Sequence, residues 1–249
     1  MLTQLAVAAL VLTLGAILQT VAGFGIGLVA VPLLLWLGFT LPESVALILG
    51  AGVVQSAVGV VKVRRSVCWR QVVSLGFIQW LFIPLGVLAM RFVLEGHQGL
   101  TKQVVGATLL VIVGAKLLLQ LKPGRQVHRA WGWGASGTAG LLAGLVGMGG
   151  PPFVLFAQAH RWSKDRFRGF LWALFLLASP MLLLVLTLHA GQVVIWSFTT
   201  GLLLAPFVWL GTRLGFVMTT RWEARRVQRA ATTLLLVIGI SAIIGPLLA

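Results

Sequence analysis

The chain has 249 residues, 59% of them hydrophobic and only 9% charged, with a mean hydropathy of +1.04 and a formal net charge of +15. Soluble domains run nearer about 45–50% apolar and ~25% charged, so a water-soluble globular protein is excluded, as is a disordered chain, which requires low hydrophobicity. The 30 glycines follow no three-residue period, which removes collagen, and a polytopic membrane protein remains.

A helix needs about 20 apolar residues to cross the hydrocarbon core. The first apolar stretch, 3–38, is too long for one crossing and is broken near its middle by Gly23-Phe24-Gly25-Ile26-Gly27. Predicted spans follow at 44–61, 72–94 and 104–121. A second long stretch, 131–160, is broken by Gly147-Met148-Gly149-Gly150-Pro151, and spans at 169–188, 193–218 and 230–248 complete the chain. The two breaks lie 124 residues apart, about half of the chain. Beyond them the register persists: LLVIVG at 109–114 matches LLLVIG at 234–239, Trp69 matches Trp196, and Gly86 matches Gly211. This order predicts an internal duplication, 1–124 and 125–249, each half a glycine-broken hairpin followed by three transmembrane helices.

Fifteen of the 19 basic residues fall in four short clusters between apolar runs. These are Lys62, Arg64, Arg65 and Arg70; Lys122, Arg125 and Arg129; Arg161, Lys164, Arg166 and Arg168; and Arg221, Arg225, Arg226 and Arg229. Such loops mark the cytoplasmic side. Nucleic-acid binding would need a polar domain to carry the charge, and none is present. With the basic loops inside, 39–43, 95–103 and 189–192 fall outside. The stretch 3–38 then begins and ends outside, and 131–160 begins and ends inside. The second half is therefore expected upside down relative to the first, an inverted repeat of about 8–10 spans in total, as in many secondary transporters. No basic residue precedes Lys62, so a signal peptide is not expected, and the bacterial inner membrane is the expected location.

Trp36, Trp69, Trp131, Trp133, Trp162, Trp196 and Trp222 fall near span ends as interface anchors, while Trp80, Trp172 and Trp209 lie deeper, for packing, lipid contact or a cavity lining. The four acids, Glu43, Glu95, Asp165 and Glu223, all sit in or beside loops. No intramembrane carboxylate is available as a proton relay. His97, His128, His160 and His189 stand one per loop without metal spacing, and Cys68 is the single cysteine. Neither catalysis, a metal nor a cofactor is expected.

The interior instead offers glycine breaks beside neutral polar groups. An unwound helix exposes backbone amides, tolerated in a membrane only inside protein or along a polar cavity. The N-terminus of a half-helix suits an anion. Gly23, Gly25, Gly27, Gly147, Gly149 and Gly150 are expected to shape such a site, although small residues also permit tight helix packing. Gln19, Thr20, Gln55, Ser56 and Ser179 are candidate donors, neutral groups that bind an oxyanion without burying a charge; interhelical hydrogen bonding is the other use open to each. Gln79 also lies well inside a span. Arg213 and Lys116, within about two turns of the inner face, are read as snorkelling.

The paired segments QTVAGFGIGLVAVPLL at 19–34 and LLAGLVGMGGPPFVLF at 141–156, with the span order over nearly the whole chain, resemble the sulfite exporter TauE/SafE family. The family's usual glycine cluster is GxGGG; here Ile26 and Pro151 each replace one glycine. The resemblance implies a carrier of a small sulfur-containing anion such as sulfite or a sulfonate. An interior-negative potential drives anions outward by ~2.3 kcal/mol per charge per 100 mV, so export is the expected direction. A carboxylate carrier, a membrane-embedded enzyme and an assembly subunit are the alternatives. The expected partners are the anionic substrate and the bilayer, and a homo-oligomer is possible on this sequence.

Overall fold

The computed structural model describes residues 2–22, 25–94, 97–119, 128–221 and 224–248, and the regular structure among them is helical. In chain order the elements are α1 (Leu2–Ala22), α2 (Gly27–Trp36), α3 (Leu41–Val63), a 3₁₀ turn (Arg64–Ser66), α4 (Trp69–Leu94), α5 (Gln98–Leu119), α6 (Arg129–Val146), α7 (Gly150–Gln158), α8 (Lys164–Ala190), α9 (Gln192–Leu203), α10 (Ala205–Arg221) and α11 (Ala224–Leu248). Gly23, Glu95, Lys122, Arg125, Trp222 and Glu223 lie outside the described residues, as do the side chains of Lys116, Arg221, Arg225 and Arg226.

Four described helices are long and apolar enough to cross a bilayer, or five when the bent pair α9–α10 counts as one. Their outward faces carry large apolar side chains, with Phe92 81% and Leu203 79% exposed. Lipid tails accept such a surface and water does not. The protein is a multi-pass helical membrane protein.

The span expected to run unbroken over 193–218 is bent by 50°. Pro206 explains the break, because it has no amide to donate and its ring clashes with the carbonyl four residues back. The preceding helix closes with Leu204 N donating to the carbonyls of Thr200 and Gly201. Pro84 and Pro180, by contrast, sit inside helices that continue through them.

Both glycine-broken stretches are hairpins. A Cβ on Gly15 of α1 would meet Ile26 at 2.9 Å and Ala30 at 3.7 Å, so α2 folds back along α1. Likewise Gly149 at the head of α7 abuts Ala139 and Ala143, while Phe156 near its end reaches Gly132 at the start of α6. At ten and nine residues, α2 and α7 are about 15 and 14 Å long, roughly half of the ~30 Å hydrocarbon core. The breaks therefore lie deep in the protein rather than at its surface.

Helix starts follow from sequence. Thr40 caps α3 reciprocally with Glu43, whose Oε2 accepts from Thr40 N at 2.7 Å, which assigns one of the four acids to structure. Ser163 caps α8, accepting from Arg166 N at 3.3 Å. The main packing partners are α4 with α6, α1 with α10, α3 with α9 and α8, and α5 with α11. In a bilayer such pairs are held by close packing of small residues more than by burial of apolar area. Gly50 of α3 lies on α9 at Phe198, and Gly201 of α9 lies on α3 at Leu47. α3 and α8 run antiparallel, with Gly59 against Trp172 and Val63 against Gly169. α5 and α11 are antiparallel too, since Gly106 meets Ala242 while Leu110 meets Gly239.

The loops sort to two ends of the bundle. Val63 and Val67 meet Gly169, which brings the basic segments 62–70 and 161–168 together. Residues of 38–42, 97–102 and 189–193 share one cavity at the opposite end of α3.

Candidate functional site

The two helix breaks meet each other. Gly150 is so close to Gly25 that a Cβ on it would lie 3.3 Å from the Gly25 nitrogen, and one on Gly27 would lie 2.6 Å from the carbonyl oxygen of Gly147. At Gly27 a side chain would run into backbone, so the chains can cross at that point only because the residue has none. Gly147 ends α6 with φ +71°, a left-handed conformation that lets Gly147 N and Met148 N donate to Ala143 and Leu142 at 3.1 Å each. The chain then turns directly into α7.

Beside this crossing is a cavity of about 120 Å³. About 10–15 Å³ of space open to a water-sized sphere holds one water, so a cavity of this size admits a small polyatomic ligand. Of the residues singled out from the sequence, Gly25, Gly27, Gly147, Gly149, Gly150, Gln19, Gln55 and Ser56 line it. They come from α1, α3 and both breaks, far apart in the chain.

Two of the candidate donors sit elsewhere. Thr20 turns its hydroxyl back to the Ala16 carbonyl at 2.8 Å and packs against Gly215 of α10. Ser179 donates to the Leu176 carbonyl at 2.7 Å, outside the cavity lining. Both are hydroxyls absorbed by their own helix. Gly23 lies outside the described residues.

Gln79 of α4 is the residue that the candidate set lacked. It is 1% exposed, lines the cavity, and its Oε1 has no hydrogen-bond partner. Gln19 Oε1 is buried and unpartnered in the same way. Turning either carboxamide by 180° exchanges the acceptor for an NH₂ donor at little cost, so each offers the cavity whichever polarity a ligand demands. The signal for Gln79 in the sequence was its isolation, one amide within the long apolar run of α4.

The two half-helices contribute unequally. α2 starts at Gly27 with no side-chain cap, and its Leu28 and Val29 amides bond to Gly25 and Ile26. The amides of Ile26 and Gly27, ahead of them, precede any intrahelical acceptor. α7 has Pro151 and Pro152 in its first turn, which lack N–H groups, so Gly149 and Gly150 supply its leading amides. Both N-termini carry partial positive charge from the helix dipole. Among the described residues, neither a carboxylate nor a basic side chain lines the cavity, and no group of three metal-ligating side chains occurs.

Two broken helices meeting at a small, uncharged and mostly apolar cavity, into which a few neutral polar side chains project, form the arrangement of a membrane carrier. The sequence model of the sulfite exporter TauE/SafE family matches residues 7–242, and the chain belongs to that family of membrane transporters. It is similar to a Cupriavidus necator protein named "Probable sulfite/organosulfonate exporter TauE", with 26% identity over 232 residues that cover 91% of this chain and 89% of the relative. No solved structure matches the chain.

Proposed function

We propose that the protein exports a small sulfur-containing oxyanion, of the sulfite or organosulfonate class, across the bacterial inner membrane. The observation that carries this reading is the meeting of the two helix breaks at a cavity with partial positive charge, neutral amides and no acid. The relative's name points to the same substrate class. The anion would bind to the leading amides of α2 and α7, with Gln19, Gln79, Gln55 and Ser56 completing the shell. Such a site takes up negative charge without a buried cation, so its release on the far side does not require breaking an ion pair.

Outward movement follows from the interior-negative potential at ~2.3 kcal/mol per charge per 100 mV, with no coupling ion needed. The halves 1–124 and 125–249 are read as inverted repeats that rock about this site. Antiparallel α3 and α8, and antiparallel α5 and α11, support that reading, since each pair occupies corresponding places in the two halves. So does the equivalence of Gly86 and Gly211: the first seats α4 on α6 and the second seats α10 on α1.

The test is uptake of labelled sulfite, sulfoacetate, thiosulfate and acetate into inside-out vesicles, with and without an interior-positive potential. Selective uptake of a sulfur anion, stimulated by that potential, is the expected result. Equal uptake of acetate would replace the substrate class, and uptake that ignores the potential would remove potential-driven export.

A further inference from the structure

A second cavity, of about 270 Å³, lies beyond the first toward the end of the bundle that carries the basic segments 62–70 and 161–168. Three cationic side chains, Lys62, Arg168 and Arg213, line it with one acid, Asp165. Both guanidinium groups are held over aromatic rings: Arg213 Cζ lies 4.3 Å from the Trp209 ring centre and Arg168 Cζ 4.6 Å from that of Phe216. Resting on ring faces orders these cations without neutralising them. The cavity is open to the surface, with Lys62 and Arg213 exposed and Arg168 half-buried, and its wall is built from α3, α8 and α10 together.

One side chain is shared by the two cavities. Gln55 lines both, and its Nε2 donates to Thr212 Oγ1 at 2.7 Å across the α3–α10 boundary. At the other end of the bundle no described residue lines both the central cavity and the cavity around His97 and His189. Between those two lies tightly buried packing that includes Leu28, Val45, Leu182, Leu35 and Met90. Among the described residues, the central site thus shares one lining side chain with the cavity at the basic end, while apolar side chains pack between it and the opposite end.

From this juxtaposition we infer that the basic cavity is an anion antechamber, which concentrates small oxyanions and passes them to the central site past Gln55. The inference rests on the proposed function for the central site, and it adds a second site with its own chemistry. With three cations against one acid the cavity keeps a net positive charge, and clefts in which one sign of charge prevails raise the local counter-ion concentration, by about 10-fold or more where that sign is unopposed. A lipid phosphate shares the chemistry of a free oxyanion, so the membrane composition has to be controlled.

The experiment uses the full chain in pure phosphatidylcholine, as nanodiscs for quenching and as proteoliposomes for transport. Trp172 lines the antechamber, so its fluorescence, taken as wild type minus Trp172→Phe, reports on the space. Iodide is the anionic quencher and acrylamide the neutral control. In a Lys62→Gln, Arg168→Gln, Arg213→Gln variant, iodide quenching of Trp172 is expected to fall several-fold with acrylamide unchanged. At about 1 M of a non-quenching salt, where the Debye length is about 3 Å, the difference should close. In transport from the basic end, the same variant should need about tenfold more sulfite for half-saturation at low salt. Gln55→Leu should leave iodide quenching intact and stop transport.

Iodide quenching that ignores the three substitutions, in a variant that still elutes as folded protein, overturns the antechamber while leaving the exporter standing. If wild type carries no sulfite but the charge-dependent quenching holds, the exporter fails and the anion cavity survives. Charge dependence that emerges only when phosphatidylglycerol is added marks a lipid headgroup site and overturns the inference.

Discussion

Replacing Gly147 with alanine tests the central crossing at its most constrained point. Two separate costs arise there. The residue has φ +71°, and a left-handed conformation costs an ordinary L-residue about 1–2 kcal/mol. The new Cβ would also lie 2.5 Å from Val45 Cγ2 and 3.4 Å from Val31 Cγ2, an overpacking of a kind that costs about 1–3 kcal/mol. Together they give about 2–5 kcal/mol, a large share of the ~5–15 kcal/mol that folded proteins hold. At about 2–4 °C per kcal/mol for a chain of this size, the apparent melting temperature should fall by at least about 4 °C. Thermal unfolding of purified protein, followed by the loss of its monodisperse elution peak, measures this. Two further variants separate the costs. Gly147→Asn relieves the backbone strain, because asparagine tolerates φ > 0, but it keeps the clash. Val45→Ala with Gly147→Ala relieves the clash but keeps the strain, and adds its own cavity cost, which Val45→Ala alone measures. An alanine variant that melts with wild type, or a clash that removal of the Val45 methyls does not lessen, would refute the geometry of the break.

Gly149→Ala should behave differently from Gly25→Ala. The first would place a Cβ 2.7 Å from the Ala139 carbonyl oxygen and 2.7 Å from Ala143 Cβ, wedging α7 off α6 and lowering thermal stability. The second meets nothing closer than 3.9 Å, so stability should hold while half-saturation for the transported anion rises. Gln79→Leu should stabilise the fold by about 1 kcal/mol, because it removes a buried acceptor without a partner, and should abolish transport; a variant that loses stability would show that Gln79 is a structural group. Cys68 is exposed beside the first basic cluster, so a membrane-impermeant maleimide should label it in inside-out vesicles and spare it in right-side-out ones. The reverse pattern would invert the assigned orientation.

The helical membrane fold was legible because hydropathy and charge act over long windows. Twenty apolar residues must be helical in lipid, whatever their neighbours, and basic loops sort by side. The breaks were legible for a similar reason, since a glycine cluster in the middle of an apolar run has few other uses. The bend at Leu204 was not foreseen, although Pro206 was in view. Pro84 and Pro180 show why: the same residue is tolerated inside a helix whenever neighbouring groups satisfy the freed carbonyl. Trp162 makes the same point for the interface tryptophans. It stacks on His160 at 4.4 Å and carries Arg166 over its ring at 4.9 Å, so it anchors a loop to the bundle as much as to a lipid surface.

Side-chain direction was the part of the site that sequence could not supply. Thr20, Ser56 and Ser179 look alike as isolated hydroxyls in apolar spans, yet only Ser56 reaches the central cavity. A helix offers each hydroxyl a carbonyl one turn back, and which choice wins depends on the helix packed against it. Glutamine is different, because its longer side chain reaches past the backbone and carries donor and acceptor together. Three of the cavity's polar groups are glutamines from α1, α3 and α4, and one of them also opens on the basic cavity. On the export route proposed above, an anion moving from the cationic end would exchange charged partners for neutral ones as it goes deeper. It would therefore not be trapped at the midplane, and the membrane potential would complete its passage.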